Sequence, residues 1–480
     1  MDHPAPDIRE LAIDGIRTLH MPRPGATRAT LWFGVGWADE TYLTRGVTHL
    51  VEHLVMSSLD RVTYERNAQV SPHRTAFWAA GRPEEVGSTL TQVAAGLRAL
   101  PMARVDREVG VLKAEYAQRA AGPAEALMAL RYGNTGLGLA AHPTLGPRAP
   151  DPEAVRSHAE RWFVRQNAVL TVSGELPENL SIEVPDHPRP VRPVVSDLVT
   201  RPCWTWYGGS AVGLSMVLDD TRWAPRALAV IASRLERSLR EERGIIYGVD
   251  GGIWRFDGTG KVLGQMIASV APGSTPEVAT AVAVTLLDCL EKGITPDEAA
   301  EAERSHASLR ESNEFVDWCL GHGADLVPAT GSIDRLTPRF GPAEEASREV
   351  QAALAAAIGT AFMMGPREWL APLPFRAEPG WATIPGLTTP RLSRRLRSSA
   401  PKGTIMGFDG IAVQGQEPSG EFLEVRLDEC VGVGVAGDGR YLISRRGAQV
   451  WVDPKQFRGA DRIVREVDAR LPAELRFSME

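Results

Sequence analysis

Gly46-Val47-Thr48-His49-Leu50-Val51-Glu52-His53-Leu54 is the stretch on which the fold turns. On a helix, positions i, i+3 and i+4 share one face, so His49, Glu52 and His53 converge on one point. Two neutral imidazoles at that spacing can bind one Zn²⁺, and the carboxylate between them can act on a water held there. The order H-x-x-E-H is the reverse of the H-E-x-x-H zinc motif. The alternative is two histidines and a glutamate on the wet side of an ordinary helix. The rest of the chain decides between them.

Moving outward, 480 residues are too many for one core and predict two to four domains. With 43% hydrophobic and 24% charged residues, the composition is that of a globular protein. A net charge of −7 argues against nucleic acid or an anionic membrane as the main partner. Cys203, Cys289, Cys319 and Cys430 lie far apart with no C-x-x-C pair, and read as small buried hydrophobes in a reducing compartment. The first residues show no basic-then-apolar signal, and no apolar run is long enough to span a bilayer. The expected location is the cytoplasm.

Before the motif, Ile13–His20 and Ala29–Val35 read as strands around a turn at Pro22-Arg23-Pro24-Gly25. After it, residues 67–71 and 74–81 read as two short strands around Pro72-His73. Residues 83–100 carry apolar residues at helical spacing behind Pro83-Glu84-Glu85. A further helix is expected over Val105–Ala120. Its Glu108 and Glu115 share one face two turns apart, with Val111 and Leu112 between them. A carboxylate among core positions needs a cation. Either these glutamates are a solvated surface pair or one is a metal ligand from a second helix. A helix over Val155–Phe163 and a strand over Ala168–Gly174 complete the region.

The Pro-rich stretch Pro185–Pro193 marks a boundary. A second unit then repeats the order of the first: a strand at Ala211–Leu218, a long helix at Arg226–Arg243, strands from Ile245 and over Gly260–Val270, and helices at Pro276–Lys292, Glu298–Glu311 and on to about Thr360. No sequence repeat accompanies that echo. Residues 366–400 are Pro-rich and then basic, at Arg391, Arg394, Arg395 and Arg397, and read as a solvated linker or as a patch for acidic peptides. Short strands with Gly-rich turns fill residues 402–454, and Asp461–Leu471 is a closing amphipathic helix.

In this order the chain resembles the pitrilysin, insulysin and mitochondrial processing peptidase family, the inverzincin metallopeptidases, over roughly residues 10–365. The resemblance is carried by Gly36-Trp37-Ala38-Asp39-Glu40 before Gly46-Val47-Thr48-His49, by Asn67-Ala68 with Ser71 and Thr75, and by Arg107-Glu108-Val109 with Glu115. It continues through His142-Pro143 with Leu145-Gly146, Ala168-Val169-Leu170 with Gly174, and Arg240-Glu241-Glu242-Arg243-Gly244-Ile245-Ile246-Tyr247. One departure stands out: the chain between His53 and Asn67 is shorter than in that family, at Met56–Asp60, which would open the cavity beside the motif.

The resemblance implies an α+β fold. Two similar metallopeptidase domains, each an antiparallel-rich sheet packed with helices, would span 1–182 and 201–370. Linkers would cover 183–200 and 371–400. A small PH-like, β-barrel-like domain with a closing helix would follow at 401–480. His49, His53 and Glu115 would hold Zn²⁺. Glu52 would take a proton from the attacking water and return it to the leaving amine. Glu108 would orient a ligand or assist proton transfer. A peptide would add as a strand beside Asn67, Ala68, Gln69 and Ser71. Arg240 and Tyr247 would hold its carbonyl from across a dimer, either a homodimer or a heterodimer with a related subunit. The implied activity is a zinc endopeptidase for short or unfolded peptides, such as a ribosomally made precursor docked on the C-terminal domain. The alternatives are a non-catalytic subunit of such a heterodimer and a peptide-binding module.

Overall fold

The computed structural model describes residues 7–148, 150–192, 195–256, 259–308, 321, 342–416 and 420–479. Cys319 and the part of the expected helices at residues 309–320 and 322–341 lie outside them. Among the described residues, Cys203, Cys289 and Cys430 are free thiols. No helix of the described residues is long and apolar enough to cross a membrane.

The first unit is a six-stranded sheet, ordered β1-β2-β6-β3-β5-β4. Its strands are β1 (Arg9–Ile13), β2 (Ile16–Met21), β3 (Thr27–Phe33), β4 (Glu65–Val70), β5 (Thr75–Gly81) and β6 (Ala168–Ser173). Where the sequence suggested one strand over 13–20, there is a hairpin. Asp14 and Gly15 both take positive φ, 50° and 75°, as a two-residue Asp-Gly turn requires. Helices α1 (Val47–Ser58), α2 (Pro83–Arg98), α3 (Val105–Tyr116) and α5 (Pro152–Trp162) accompany this sheet, around a core that includes Phe33, Leu54, Leu90 and Leu170.

The second unit is another six-stranded sheet, ordered β12-β7-β11-β8-β10-β9. Its strands are β7 (Cys203–Trp206), β8 (Ala211–Asp219), β9 (Ile246–Phe256), β10 (Lys261–Val270), β11 (Phe362–Gly365) and β12 (Arg376–Ala377). With it go α6 (Trp223–Leu235), α7 (Thr275–Glu291), α8 (Pro296–Ser308) and α9 (Ala343–Ala357). The run β2-β6-β3-β5-β4 has the same order as β7-β11-β8-β10-β9. In both, the first pair is parallel and the rest antiparallel. The echo seen in the element order is therefore a repeat of topology.

Helix α4 (Pro123–Tyr132) lies in sequence between α3 and α5 of the first unit but packs on the second sheet. Its Leu127 is buried with Cys203, Ile267, Phe362 and Met364. Its Arg131, fully buried, donates to the Ser215 and Thr360 carbonyls and pairs with Asp197. A buried guanidinium is tolerable because each such contact replaces lost hydration. The Pro-rich stretch is also pinned: Arg192 meets Asp39 at 2.7 Å and donates to the Gly34 and His73 carbonyls.

The C-terminal region is two sheets under a closing helix, with no closed barrel among the described residues. One four-stranded sheet is ordered β13-β17-β16-β15 and a second β20-β19-β18-β22, with a β14-β21 ribbon beside them. The strands are β13 (Thr383–Ile384), β14 (Ser393–Arg394), β15 (Met406–Phe408), β16 (Ala412–Gln416), β17 (Phe422–Arg426), β18 (Cys430–Ala436), β19 (Gly439–Ser444), β20 (Gln449–Val452), β21 (Phe457–Arg458) and β22 (Arg476–Ser478). A single turn, Leu427–Glu429, carries the chain from one sheet to the other. β18 then pairs with the C-terminal β22 and not with β17, so the ladder does not close. The two sheets share one core, which Ile463 and Val467 of the closing helix α10 (Ala460–Arg470) complete. The basic linker contributes too: β12 joins the second sheet, and β13 and β14 join this third unit.

Candidate metal centre and its cleft

Helix α1 starts at Gly46, whose φ of 85° lies in the left-handed region. The first turn of a helix leaves backbone N–H groups without partners. Here the Glu40 carboxylate accepts the N–H of Gly46 at 2.7 Å and of Thr48 at 2.8 Å. Burial pushes that carboxyl up to about 7 despite the two hydrogen bonds. Leu50, Val51, Leu54 and Val55 are fully buried and fix the helix's rotation. Beneath it, the Thr48 hydroxyl meets His158 Nε2 at 3.0 Å. The opposite face carries His49, Glu52 and His53 into a cleft of about 720 Å³.

Helix α3 supplies the third group. Glu115 Oε2 lies 3.8 Å from His49 Nε2 and 3.5 Å from His53 Nε2. The three donor atoms lie within 4.8 Å of one another. Tetrahedral Zn²⁺ with bonds of about 2.0–2.1 Å would set its ligands about 3.3 Å apart, so the two Glu115–histidine pairs fit the ion with contractions of under about 1 Å, and the two imidazoles would draw in toward it as well. The surroundings fit as well. His49 Nδ1 lies 3.0 Å from the Tyr116 hydroxyl, and His53 Nδ1 lies 3.5 Å from Glu108 Oε2. Both contacts leave Nε2 free to bind, the arrangement in which a ligating histidine hands its other nitrogen to an orienting partner. Arg119 holds Glu115 Oε1 at 2.8 Å, which leaves Oε2 for the histidines.

Glu52 stands beside the centre, 3.5 Å from His49 Nε2 and 3.9 Å from His53 Nε2. Burial, then Glu115 and Glu108, pushes its carboxyl up to about 8. Burial and neighbouring His53 push the His49 imidazole down to about 4, so it is neutral near pH 7, as a ligand must be. Glu108 is buried on α3. Leu112 is buried as well, whereas Val111 is exposed and does not share their environment.

The remaining sequence candidates fall in two places. Asn67, Ala68 and Gln69 lie on β4, the edge strand of the first sheet, and line the same cleft. Ser71 is past the end of β4, in the turn to β5. Its hydroxyl bonds the Arg74 carbonyl and its own carbonyl accepts from Trp37 N–H, so it is not part of that edge. Arg240 lies in a π-helical turn, Glu236–Glu241, that ends the α6 segment, and Tyr247 lies on β9. The guanidinium stacks 5.8 Å from the Tyr247 ring. Tyr247 is 84% exposed, and neither residue lines the cleft, whose described walls run from Trp37 to Thr144. Sequence reasoning missed Tyr116 and Arg119 as partners of the centre. Arg119 was findable as the i+4 neighbour of Glu115; nothing in the spacing pointed to Tyr116.

No protein-family model and no curated protein matches the chain. Solved structures do. The chain carries the two-domain fold of M16 peptidases. A protease from Helicobacter pylori aligns with a TM-score of 0.59 at 12% identity, over 76% of this chain and 100% of that one. Pitrilysin aligns with a TM-score of 0.57 at 15% identity, over 76% of this chain and 45% of that one. A peptidase M16 inactive domain from Pseudomonas fluorescens aligns with a TM-score of 0.57 at 14% identity, over 77% of this chain and all of that one.

Proposed function

We propose that this protein is a zinc-dependent peptidase that cleaves short or unfolded peptides. The observation that carries the proposal is the convergence of His49 Nε2, His53 Nε2 and Glu115 Oε2 from two helices, with Glu52 beside them. Zn²⁺ held there would supply a Lewis acid and lower the pKa of water. Glu52 is placed to take the proton of the attacking water and pass it to the leaving amine. Its affinity for protons falls when a dication is near. Accepting Nδ1–H, Tyr116 and Glu108 would hold the imidazoles in the tautomer that exposes Nε2. A substrate added to the open edge of β4 would be held through its main chain, which favours extended peptides of varied sequence.

Arg240 and Tyr247 enter this scheme from a second subunit. They are stacked, exposed and outside the cleft of their own chain, which supports a dimer in which each chain's pair faces the other's metal centre. Bound zinc near one per chain, with hydrolysis lost in Glu52→Gln, is the expected result. Purified protein without metal, or a Glu52→Gln variant as active as the wild type, would overturn the proposal. The second reading, a non-catalytic subunit, draws on the likeness to an M16 domain described as inactive. Zinc bound at one per chain with no hydrolysis of any peptide by the homodimer would favour it.

A further inference from the structure

Part of the cleft wall comes from the segment after α4. Leu139, Ala140, His142, Pro143 and Thr144 all line it. This segment is gripped from outside by the C-terminal unit. Asn134, 4% exposed, is the point of contact. Its backbone N–H donates to the Arg445 carbonyl at 2.9 Å, and its side-chain amide donates to the Ser444 carbonyl at 2.9 Å. Its remaining oxygen lies 2.8 Å from His142 Nε2. With the amide nitrogen committed to a carbonyl, that oxygen must accept, so His142 donates Nε2–H.

The approach is tight. Gly133 has φ of +65°, and a Cβ there would meet the Arg445 carbonyl oxygen at 2.1 Å. The gripping turn is itself braced: Arg445 N–H donates to the Glu429 carbonyl, and the Arg446 guanidinium pairs with the Glu429 carboxylate at 2.8 Å. On the inner side, the His142 ring packs edge-on to Tyr42 at 5.3 Å, and Arg45 stacks on Tyr42 at 4.1 Å. Gly146 N–H donates to the Arg45 carbonyl at 2.7 Å. Arg45 directly precedes Gly46, where the metal helix begins. A continuous set of contacts therefore runs from the C-terminal unit to the base of α1.

We infer that the C-terminal unit braces one wall of the cleft from behind, and that Asn134 is the positioning residue through which its seating reaches His142 and the residues that would line a bound peptide. The inference rests on the peptidase reading for what the cleft binds, but not for the coupling itself. The two are separated by hydrogen exchange on the full chain. In Asn134→Leu, exchange across residues 133–146 rises about tenfold, the size expected for losing buried hydrogen bonds at one side chain, while β7 and β8 keep their protection. In the same variant KM for a peptide rises about tenfold, kcat stays within about twofold, and zinc content is unchanged. Should Asn134→Leu not fold, Arg446→Ala loosens the same turn from the solvent side and moves both readouts in the same direction by less. Unchanged exchange over 133–146 in the folded variants overturns the inference. So does a fall in kcat with KM intact. Wild-type protein that binds no zinc and cleaves nothing overturns the peptidase reading alone, since the exchange experiment still decides the coupling.

Discussion

The two sheets of this chain share a strand order and do different things with it. In the first, the helix between β3 and β4 is regular, capped by a buried carboxylate, and presents His49, Glu52 and His53 to a cleft. In the second, the equivalent helix between β8 and β9 runs into a π-helical turn and presents Arg240 beside an exposed Tyr247. The edge strands differ in the same sense: β4 borders a cleft, whereas the Tyr247 end of β9 faces outward. One topology can thus present a His-His-Glu group to a cleft or an exposed Arg-Tyr stack, and the choice rests on a handful of side chains and one irregular helical turn.

The largest expected effect tests the first half. Glu52→Gln keeps the shape of the side chain but removes the proton acceptor. Peptide hydrolysis should fall by about 10²–10⁴-fold with zinc content unchanged, as measured by turnover and metal analysis. The second half is tested by Arg240→Ala, which should lower kcat/KM by about 10²–10³-fold. Mixing the two inactive variants then sharpens the comparison. If each site is built from both chains, random exchange of subunits restores about a quarter of wild-type activity. No recovery on mixing would mean that the two halves do not complete each other across a dimer. A smaller effect is expected at Glu108→Gln, where losing the partner of His53 Nδ1 should weaken zinc about 10–100-fold in a chelator competition.

The smallest effect is one of pH, and the units should respond in opposite directions. Glu298 in the second unit is held down to about 2, first by its hydrogen bond with Arg234. A depressed carboxyl stabilises the fold above its unfolded value of about 4.5 and loses that contribution as pH falls toward 2. Glu40 in the first unit is raised to about 7 by burial. The folded state then holds a proton that the unfolded state has released, so stability declines as pH rises from about 4.5 through 7. Unfolding followed against pH should show the first slope flattened in Glu298→Gln and the second in Glu40→Gln. A Glu40→Gln protein with an unaltered slope between pH 5 and 7 would remove that carboxyl as the cause.

The long periodic helices and the ordered motifs were legible in the sequence, because spacing alone puts His49, Glu52 and His53 on one face. Glu115 was legible through the resemblance rather than through spacing, and its neighbours only partly so. What stayed hidden depends on contacts distant in sequence or on single residues. The Asp14-Gly15 turn was read through because Ile13 and Ile16 on either side of it look like one β-branched run. The π-helical turn at Arg240 leaves no mark on a period of 3.6. Residues 371–400 looked like a linker by composition, yet short strands within them complete two sheets, because a strand of two residues needs only a neighbour's free edge. A PH-like, barrel-like unit was expected from the run of short strands and the helix after them; where its ladder breaks depends on β22 arriving from after that helix.

Helix α4 carries a consequence for how the chain comes apart. Its residues precede the Pro-rich stretch, yet its Leu127 and Arg131 sit in the floor of the second sheet. A protease that nicked the backbone near residue 190 would therefore cut the thread without parting the cloth. The two fragments should elute together and separate only in denaturant. By the same reasoning, a gene split at that composition boundary would yield a first half with a bare apolar helix and a second half missing its floor.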